Sequence, residues 1–521
     1  MIHKSPYPDL EIPDTPLTPV VFRHADRLKD KAAITDIGSG RSLTYGELVD
    51  QSRRLAAGLR VREFGKGQVL AILAPNIIEY PVVFHGVALA GGATTTLNPT
   101  YTEGEIAYQL KDSGARFLVT VPDLTDKATG AAAGSGVVEE VLAIGGGDRL
   151  PDLTTMMSDG ALPDVEIDAD DIVALPYSSG TTGFSKGVML THRNMVANLL
   201  QMATTHLVTE DEGIIAFLPF FHIYGMQVLM NHALYQGATL LSMPRFDLEA
   251  FLKAAQDHKV RRLYIVPPVA LALAKHPAVA SYDLSSVRTA FSGAAPLDAE
   301  TAVACATRVG CRVVQGYGLT ETSPVTHSVP EDAAEVIPGS IGPSLPNTEI
   351  KIVDVETGAE LGAGKDGEIW IRGPQVMKGY LNNDEATRGC IDDDGFFHSG
   401  DIGRVDERGE YFIVDRLKEL IKYKGLQVAP AELEAVLLSH PNVSDAAVIG
   451  IPHPEAGEVP KGFVVLREPI AVEEIMAYVA EKVAHYKRIR TLEVVDEIPK
   501  SASGKILRRL LRDRERTAAA T

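Results

Sequence analysis

Cysteine is nearly absent: the 521 residues hold three, Cys305, Cys311 and Cys390, an odd number with no C-x-x-C pair. Neither a disulfide framework nor a zinc site is indicated, and a reducing compartment fits best. Basic charge is short too. Fifty Lys and Arg stand against 69 Asp and Glu, for a net charge of −19. A nucleic-acid backbone wants a basic face, so that partner class is disfavoured. Any anionic ligand must be met by a local cluster of Lys, Arg and backbone N–H groups. No apolar run approaches the roughly 18 residues of a membrane span. The opening Met1-Ile-His-Lys-Ser-Pro-Tyr-Pro-Asp9 lacks the apolar core of a secretory signal. The closing Thr517-Ala-Ala-Ala-Thr521 is neither a peroxisomal address nor a prenylation box. The expectation is a cytoplasmic protein with no membrane span and no evident obligatory protein partner.

What is present is 45% hydrophobic and 23% charged residues, the mix of an ordinary globular chain. At about 150 residues per domain the length allows about three folding units, two of which one large α/β domain can absorb. Thr44-Tyr-Gly-Glu47 reads as a capping box opening an amphipathic helix with Leu48, Leu55 and Leu59 on one face. Val69–Leu73, Arg116–Thr120, Arg262–Val266, Val287–Phe291 and Arg312–Val314 read as buried strands between helices. That pattern predicts α/β architecture with largely parallel sheets. The Gly- and Ala-rich stretch 130–147 reads as a surface excursion. After about residue 340 the style changes. Glu349–Val353, Gly367–Arg372 and Glu410–Val414 are short strands between turns, which predicts a small β-rich subdomain. From Asp415 the chain grows basic in patches, and a domain boundary is expected at Asp415–Lys418. It divides the chain into residues 1–415 and a smaller α+β unit, 416–521.

The segment richest in chemistry is Ser178-Ser-Gly-Thr-Thr-Gly-Phe-Ser-Lys-Gly187. Its glycines (Gly180, Gly183, Gly187) let backbone N–H groups converge on one point. Ser178, Ser179, Thr181 and Thr182 add hydroxyls, and Lys186 adds charge, a set suited to a triphosphate. The Walker spacing is missing. On composition alone the same segment reads equally as a solvated linker.

Further segments break that tie. Gln315-Gly-Tyr-Gly-Leu-Thr-Glu321, Gly367-Glu-Ile-Trp-Ile-Arg-Gly373, His398-Ser-Gly-Asp401, Asp415-Arg-Leu-Lys418 and Pro499-Lys-Ser-Ala-Ser-Gly-Lys505 follow in one order. With the glycine loop they resemble the adenylate-forming superfamily of acyl-CoA synthetases, adenylation domains and luciferases, from about Leu43 to Arg508. Within it the chain is most similar to the 4-coumarate–CoA ligases. That likeness is carried by Phe221-His-Ile-Tyr224, Ser292-Gly-Ala-Ala-Pro296 and Lys422-Tyr-Lys-Gly-Leu-Gln-Val-Ala-Pro-Ala-Glu432.

The resemblance implies an ATP-dependent acid–CoA ligase that forms an acyl-adenylate and uses Mg²⁺ and coenzyme A. The loop Ser178–Gly183 would enclose the phosphates, with Thr181, Thr182 and Lys186 on the β- and γ-phosphates. Thr320 and Glu321 would position the α-phosphate and the metal. Gln315, Gly316 and Tyr317 would line the nucleotide. Asp401, aided by Arg416, would take the ribose hydroxyls, although alone it reads as a turn-forming Asx. Lys505 would bridge the substrate carboxylate and α-phosphate, where repulsion between two anions calls for a cation. The same lysine, met without the motif, reads as a solvated side chain. No covalent enzyme intermediate is expected at any of the cysteines. A rotation about Lys418 would then withdraw Lys505 and present Lys424 and Gly425 to CoA, with Arg245 opposite and Lys422 and Gln427 on the adenylate. His222 and Tyr224 would wall the acid pocket, which Ala294, Gly316, Gly318, Pro324 and Val325 complete. Small residues at 294, 316 and 318 would leave a flat slot for a planar aromatic acid. Tyr224 would hydrogen-bond a para-hydroxyl, its alternative being a core tyrosine.

Three segments depart from the plant pattern: Gly225-Met-Gln-Val228, Phe184-Ser185 and Trp370. The first bears on the acid; the other two are expected not to touch the chemistry. Rival expectations are a fatty-acid–CoA ligase, a free-standing adenylation enzyme loading a carrier protein, a luciferase, and an inactive nucleotide sensor.

Overall fold

The computed structural model describes residues 1–147, 149–161, 165–178, 185–424, 426–453, 456–501 and 504–520, with residue 427 and residues 518–520 described as backbone alone. Ser179, Gly180, Thr181, Thr182, Gly183, Phe184 and Gly425 therefore lie outside the described residues.

Three sheets with helices between them build the first part of the chain. In one, the strands Ile172–Leu175, Ala93–Thr96, Val69–Leu73, Ala115–Thr120 and Glu140–Ala143 run parallel in that spatial order. Lys186–Thr191 joins Ile172–Leu175 antiparallel, and the short Gly379–Tyr380 joins Lys186–Thr191 in turn. Val69–Leu73 is buried at every position, as a strand covered on both faces must be. A second sheet pairs Gly213–Ala216, Thr239–Ser242 and Ala32–Asp36 in parallel. A third pairs Arg262–Ile265, Thr289–Ser292 and Arg312–Gly318 in parallel, and Val325–Ser328 returns antiparallel along the last. One apolar core runs through all three sheets, from Leu17 to Phe397, and a second, around Val69, Ala71, Leu110 and Leu118, covers the other face of the first sheet.

Helix starts follow the sequence. Thr44 and Glu47 form the expected capping box, and Leu48, Leu55 and Leu59 are all buried. Thr102 with Glu105 and Thr191 with Asn194 cap two more helices in the same way. The stretch 130–147 is not a surface excursion. Thr125–Ser135 is a helix with Ala128, Ala131 and Ala132 buried, and Glu140–Ala143 is a sheet strand. The small residues that suggested a loop permit close packing instead. A Cβ on Gly130 would stand 2.6 Å from the Glu103 carboxylate, and one on Gly134 would lie 3.4 Å from Ala107 Cβ.

Two largely antiparallel sheets follow. His3–Lys4, Glu349–Val353, Gly367–Arg372, Phe397–Val405 and Tyr411–Arg416 pair in that order, with Ile350, Ile352, Ile369 and Ile371 turned inward at period two. The turn after Arg416 leads to a separate sheet. There Ile421–Tyr423 and Leu426–Val428 form a hairpin against Gly457–Leu466, which also pairs Val443–His453 and, in parallel, Thr491–Val494. This small C-terminal unit has its own apolar core, around Ile421, Leu433, Val448 and Ile475. No helix among the described residues is long and apolar enough to cross a membrane.

Candidate active site

Two short strands flank the glycine-rich segment. Tyr177–Ser178 pairs with Lys186–Thr191, so Ser178 faces Lys186 and Tyr177 faces Gly187. Gly187 lets the Tyr177 ring lie close, since a Cβ there would sit 3.0 Å from it. The ends of the loop are thus fixed by ladder hydrogen bonds.

The first strand ends on Glu321. Its Oε1 accepts the hydroxyl of Ser178 at 2.8 Å and that of Tyr380 at 2.8 Å. The Lys186 ammonium stands 4.2 Å from the centre of the Tyr380 ring. Glu321 is 7% exposed, on the turn Thr320–Thr322 that follows the strand Arg312–Gly318. Tyr380, which stands in none of the sequence motifs, therefore touches both the loop lysine and the acidic residue. Its signal was faint: a tyrosine on a two-residue strand beside Lys186–Thr191. Cys390 lies near Glu321, and burial pushes its thiol up to about 11, so it stays protonated.

A second corner is built on cross-strand pairs. Asp401 is opposite Arg416 in the ladder, and its Oδ1 lies 3.1 Å from Arg416 Nε. Its Oδ2 accepts the Tyr317 hydroxyl at 2.6 Å. Burial holds that phenol well above its usual range, so it acts as a donor. Gln315 is buried, and its side-chain oxygen takes the Leu297 N–H at 3.0 Å, tying the 293–297 loop to the strand.

Lys505 is an electrostatic neighbour of both corners. The turn that carries it closes through Ser501 N–H to Lys505 O at 2.8 Å, and Gly504 N–H to Ser501 O at 2.8 Å. A Cβ on Gly504 would come 3.2 Å from Pro268, so the turn is seated against the larger part of the chain. Burial pushes the Lys505 amine down to about 8. Arg416 adds to that push, while Asp401, Glu419 and Glu321 oppose it.

His222 is another electrostatic neighbour of Lys505. Burial, with help from that cation, lowers its imidazole to about 4. Its Nδ1 accepts the Tyr224 N–H at 3.2 Å, which assigns the ring proton to Nε2. Tyr224 opens an eight-residue π-helical stretch, Tyr224–Asn231, a geometry that recurs at functional sites. Its hydroxyl lies 3.4 Å from the carbonyls of both Ile265 and Phe291, and its ring lies over Gly293, where a Cβ would be 3.1 Å away. Ala294 follows with φ +69°, and Gly318 could carry no side chain, because a Cβ would meet Pro324 O at 2.0 Å. Gly316 lies on the same strand as Gly318, and Asn198 grips both the N–H and C=O of Val325. The departure at Gly225-Met-Gln-Val228 is core: all four residues are buried, and Gln227 bonds Met195 O at 2.7 Å.

Lys422, Lys424 and Arg245 are exposed, and the structure does not gather them into this site. Lys422 pairs with Gln427 across the C-terminal hairpin, and Lys424 N–H bonds Ala456 O at 2.8 Å. Lys418 is exposed in the turn between the two largely antiparallel sheets.

Two paired strands flanking a hydroxyl- and glycine-rich segment, a buried carboxylate beside them, a second carboxylate on a cross-strand arginine and a lysine that feels both suit a nucleotide. Residues 21–381 match the family model "AMP-binding enzyme", and residues 432–505 match its C-terminal domain model. The chain belongs to the AMP-binding enzyme family. Among AMP-binding relatives it is 43% identical to a 4-coumarate–CoA ligase of Pinus taeda, over 98% of this chain and 97% of that one. It is 45% identical to 4-coumarate–CoA ligase 5 of Oryza sativa subsp. japonica, with the same coverage. Among solved structures of the family, the anthranilate CoA ligase AuaEII in complex with anthranoyl-AMP superposes with a TM-score of 0.90 at 26% identity, covering 98% of this chain and 99% of that one. ATP-bound MatB from Rhodopseudomonas palustris superposes at 0.86 with 33% identity, covering 95% and 98%.

Proposed function

We propose that this AMP-binding enzyme is an ATP-dependent acid–CoA ligase for 4-coumarate and related cinnamates. In the first half-reaction a carboxylate oxygen attacks the α-phosphorus of ATP, a P–O bond forms, and pyrophosphate leaves. In the second, the CoA sulfur attacks the acyl carbon and AMP leaves as the thiol proton is lost. The observation that carries the reading is that Asp401, Glu321 and His222 are all electrostatic neighbours of the buried Lys505 amine, on a turn seated against Pro268, where a cation would face the meeting of two anions.

The roles follow from chemistry. The 179–183 loop and Lys186 would bind the β- and γ-phosphates, with Tyr380 beneath the ammonium. Among the described residues both hydrogen bonds to the Glu321 carboxylate fall on Oε1, which leaves Oε2 for a metal. Magnesium binds through one or two carboxylates plus phosphates and keeps waters, so one oriented carboxylate fits it. When bound, the ion would neutralise triphosphate charge. Thr320 would present its hydroxyl to the α-phosphate, and Asp401, with Tyr317 and Arg416 behind it, would accept the ribose hydroxyls. Neutral His222 would donate Nε2–H to the acid carboxylate. The acid ring would lie against Tyr224 and the backbones of Ala294, Gly316 and Gly318, with Pro324 and Val325 closing the slot. Lys422, Lys424, Gly425 and Gln427 would enter after the 416–521 unit turns about Lys418, meeting CoA opposite Arg245. Cytoplasmic solubility is part of the same reading.

The test is ATP–pyrophosphate exchange with a panel of acids, followed by thioester formation. Exchange should require Mg²⁺ and be fastest, in kcat/KM, with 4-coumarate or cinnamate. Faster turnover of octanoate or palmitate than of every cinnamate would refute the assignment of the acid.

A further inference from the structure

Between the strands Gly367–Arg372 and Phe397–Val405 the ladder breaks. Trp370 pairs with His398 and Glu368 with Ile402, so a single residue on one strand faces Ser399-Gly400-Asp401 on the other. Such a bulge bends its strand, re-aims the side chains it carries and deprives its own N–H groups of ladder partners. Gly400, at φ +69°, donates its N–H to Glu368 Oε1 at 2.9 Å. The other oxygen, Oε2, accepts the indole N–H of Trp370 at 2.9 Å. The indole lies flat on the His398 ring, with centroids 3.6 Å apart and planes 13° from parallel. Asp401, the last residue of the bulge, is thereby turned inward onto Tyr317 and Arg416 and is 3% exposed.

We propose that Glu368 and Trp370 are positioning residues for ribose recognition: they clamp the Ser399–Asp401 bulge in the conformation that delivers the Asp401 carboxylate to the nucleotide. The inference rests on the reading of Asp401 as the ribose ligand. Glu368 has two acceptor oxygens and two N–H groups to satisfy. Trp370 fixes one oxygen, and the geometry of the carboxylate then fixes the other on Gly400. Free rotation of that carboxylate would release the Gly400 N–H and let the bulge relax. Trp370, the single tryptophan of the sequence, thus acts on the nucleotide site through Glu368, contrary to its first appearance as a neutral departure.

Calorimetric titration with AMP and with 2′,3′-dideoxyAMP separates the parts. The unaltered protein should prefer AMP by about tenfold or more, the worth of hydrogen bonds to a charged acceptor. Asp401→Ala should bind both nucleotides alike; if it still prefers AMP, the ribose assignment itself is wrong. Glu368→Gln has a single acceptor oxygen, so one of the two N–H groups loses its partner. Trp370→Phe keeps a ring over His398 but has no N–H to give. Each should lose about three- to tenfold in AMP affinity, the range of one hydrogen bond, and leave dideoxyAMP affinity unchanged. In turnover KM for ATP should rise while kcat holds. With Asp401→Ala behaving as expected, full AMP preference in both variants, or equal losses for the two nucleotides, would overturn the proposal.

Discussion

The corners proposed for the nucleotide and the slot proposed for the acid are built on opposite principles. Around Glu321 and Asp401 every contact is an atom present: Ser178, Tyr380, Tyr317 and Arg416 each bring a donor to one of the two carboxylates. Around Tyr224 the shape comes from atoms withheld, at Gly293 and Gly318, where a Cβ would strike the Tyr224 ring or Pro324 O. A donor network recognises a fixed ligand and tolerates little change. A slot made of absences can change its acid by gaining or losing a methyl group. Common nucleotide chemistry with a variable acid is what that division would produce.

The largest expected effect lies where the two regions meet. Lys505→Ala should lower adenylate formation by about 10²–10³, the usual cost of removing a charge-stabilising donor. Synthetic acyl-AMP plus CoA should still give thioester, because in the proposed mechanism Lys505 serves only the first step. Equal loss of both half-reactions in a folded variant would unseat the two-pose mechanism.

The same lysine predicts a pH limb. Its amine, pushed down to about 8, carries charge below that pH and loses it above. kcat/KM for ATP in the exchange reaction reports the free enzyme. It should hold below pH 8 and fall toward tenfold per unit as pH rises past it. Lys505→Arg, which stays charged, should flatten that limb whatever its absolute rate. His222, lowered to about 4, should contribute no limb near 6.5. An unchanged fall in the arginine variant would place the titrating group elsewhere.

Within the nucleotide corner, Tyr380→Phe keeps the ring beneath Lys186 and removes the hydroxyl from Glu321. A lost hydrogen bond to a charged group costs about 1.5–3 kcal/mol, so exchange should slow by about ten- to a hundredfold. The Mg²⁺ concentration needed for half-maximal rate should rise. If only thermal stability changes, Tyr380 is a packing residue.

How far the sequence spoke follows the same division. Asp401, Glu321, Lys186 and Lys505 stand in linear motifs, because a phosphate or a ribose demands the same donors wherever it binds. Tyr380 and Glu368 were not legible as partners, since their roles come from pairings across sheets: Tyr380 beside Lys186–Thr191, Glu368 across a bulge. The helix Thr125–Ser135 was hidden because glycine and alanine serve loops and close helix contacts alike. At Ala294 the sequence showed a small residue but not its φ of +69°. A β-branched replacement there would strain the backbone as well as narrow the slot.

The smallest effect is the one that tests the slot, and Tyr224 offers a probe that adds no bulk. The Tyr224 hydroxyl is held 3.4 Å from two carbonyls, so its proton is directed at backbone and its lone pairs are free to accept. A para-hydroxyl on the acid ring would therefore donate to Tyr224. Cinnamate, lacking that group, leaves the tyrosine with its backbone contacts alone. Tyr224→Phe should then cost 4-coumarate about two- to tenfold in kcat/KM, the worth of one neutral hydrogen bond, and cost cinnamate nothing. The ratio of the two acids is the measurement, because it cancels any general loss of fold or of ATP binding. A ratio unmoved by the substitution would make Tyr224 a core tyrosine, with the 4-hydroxyl recognised by another group.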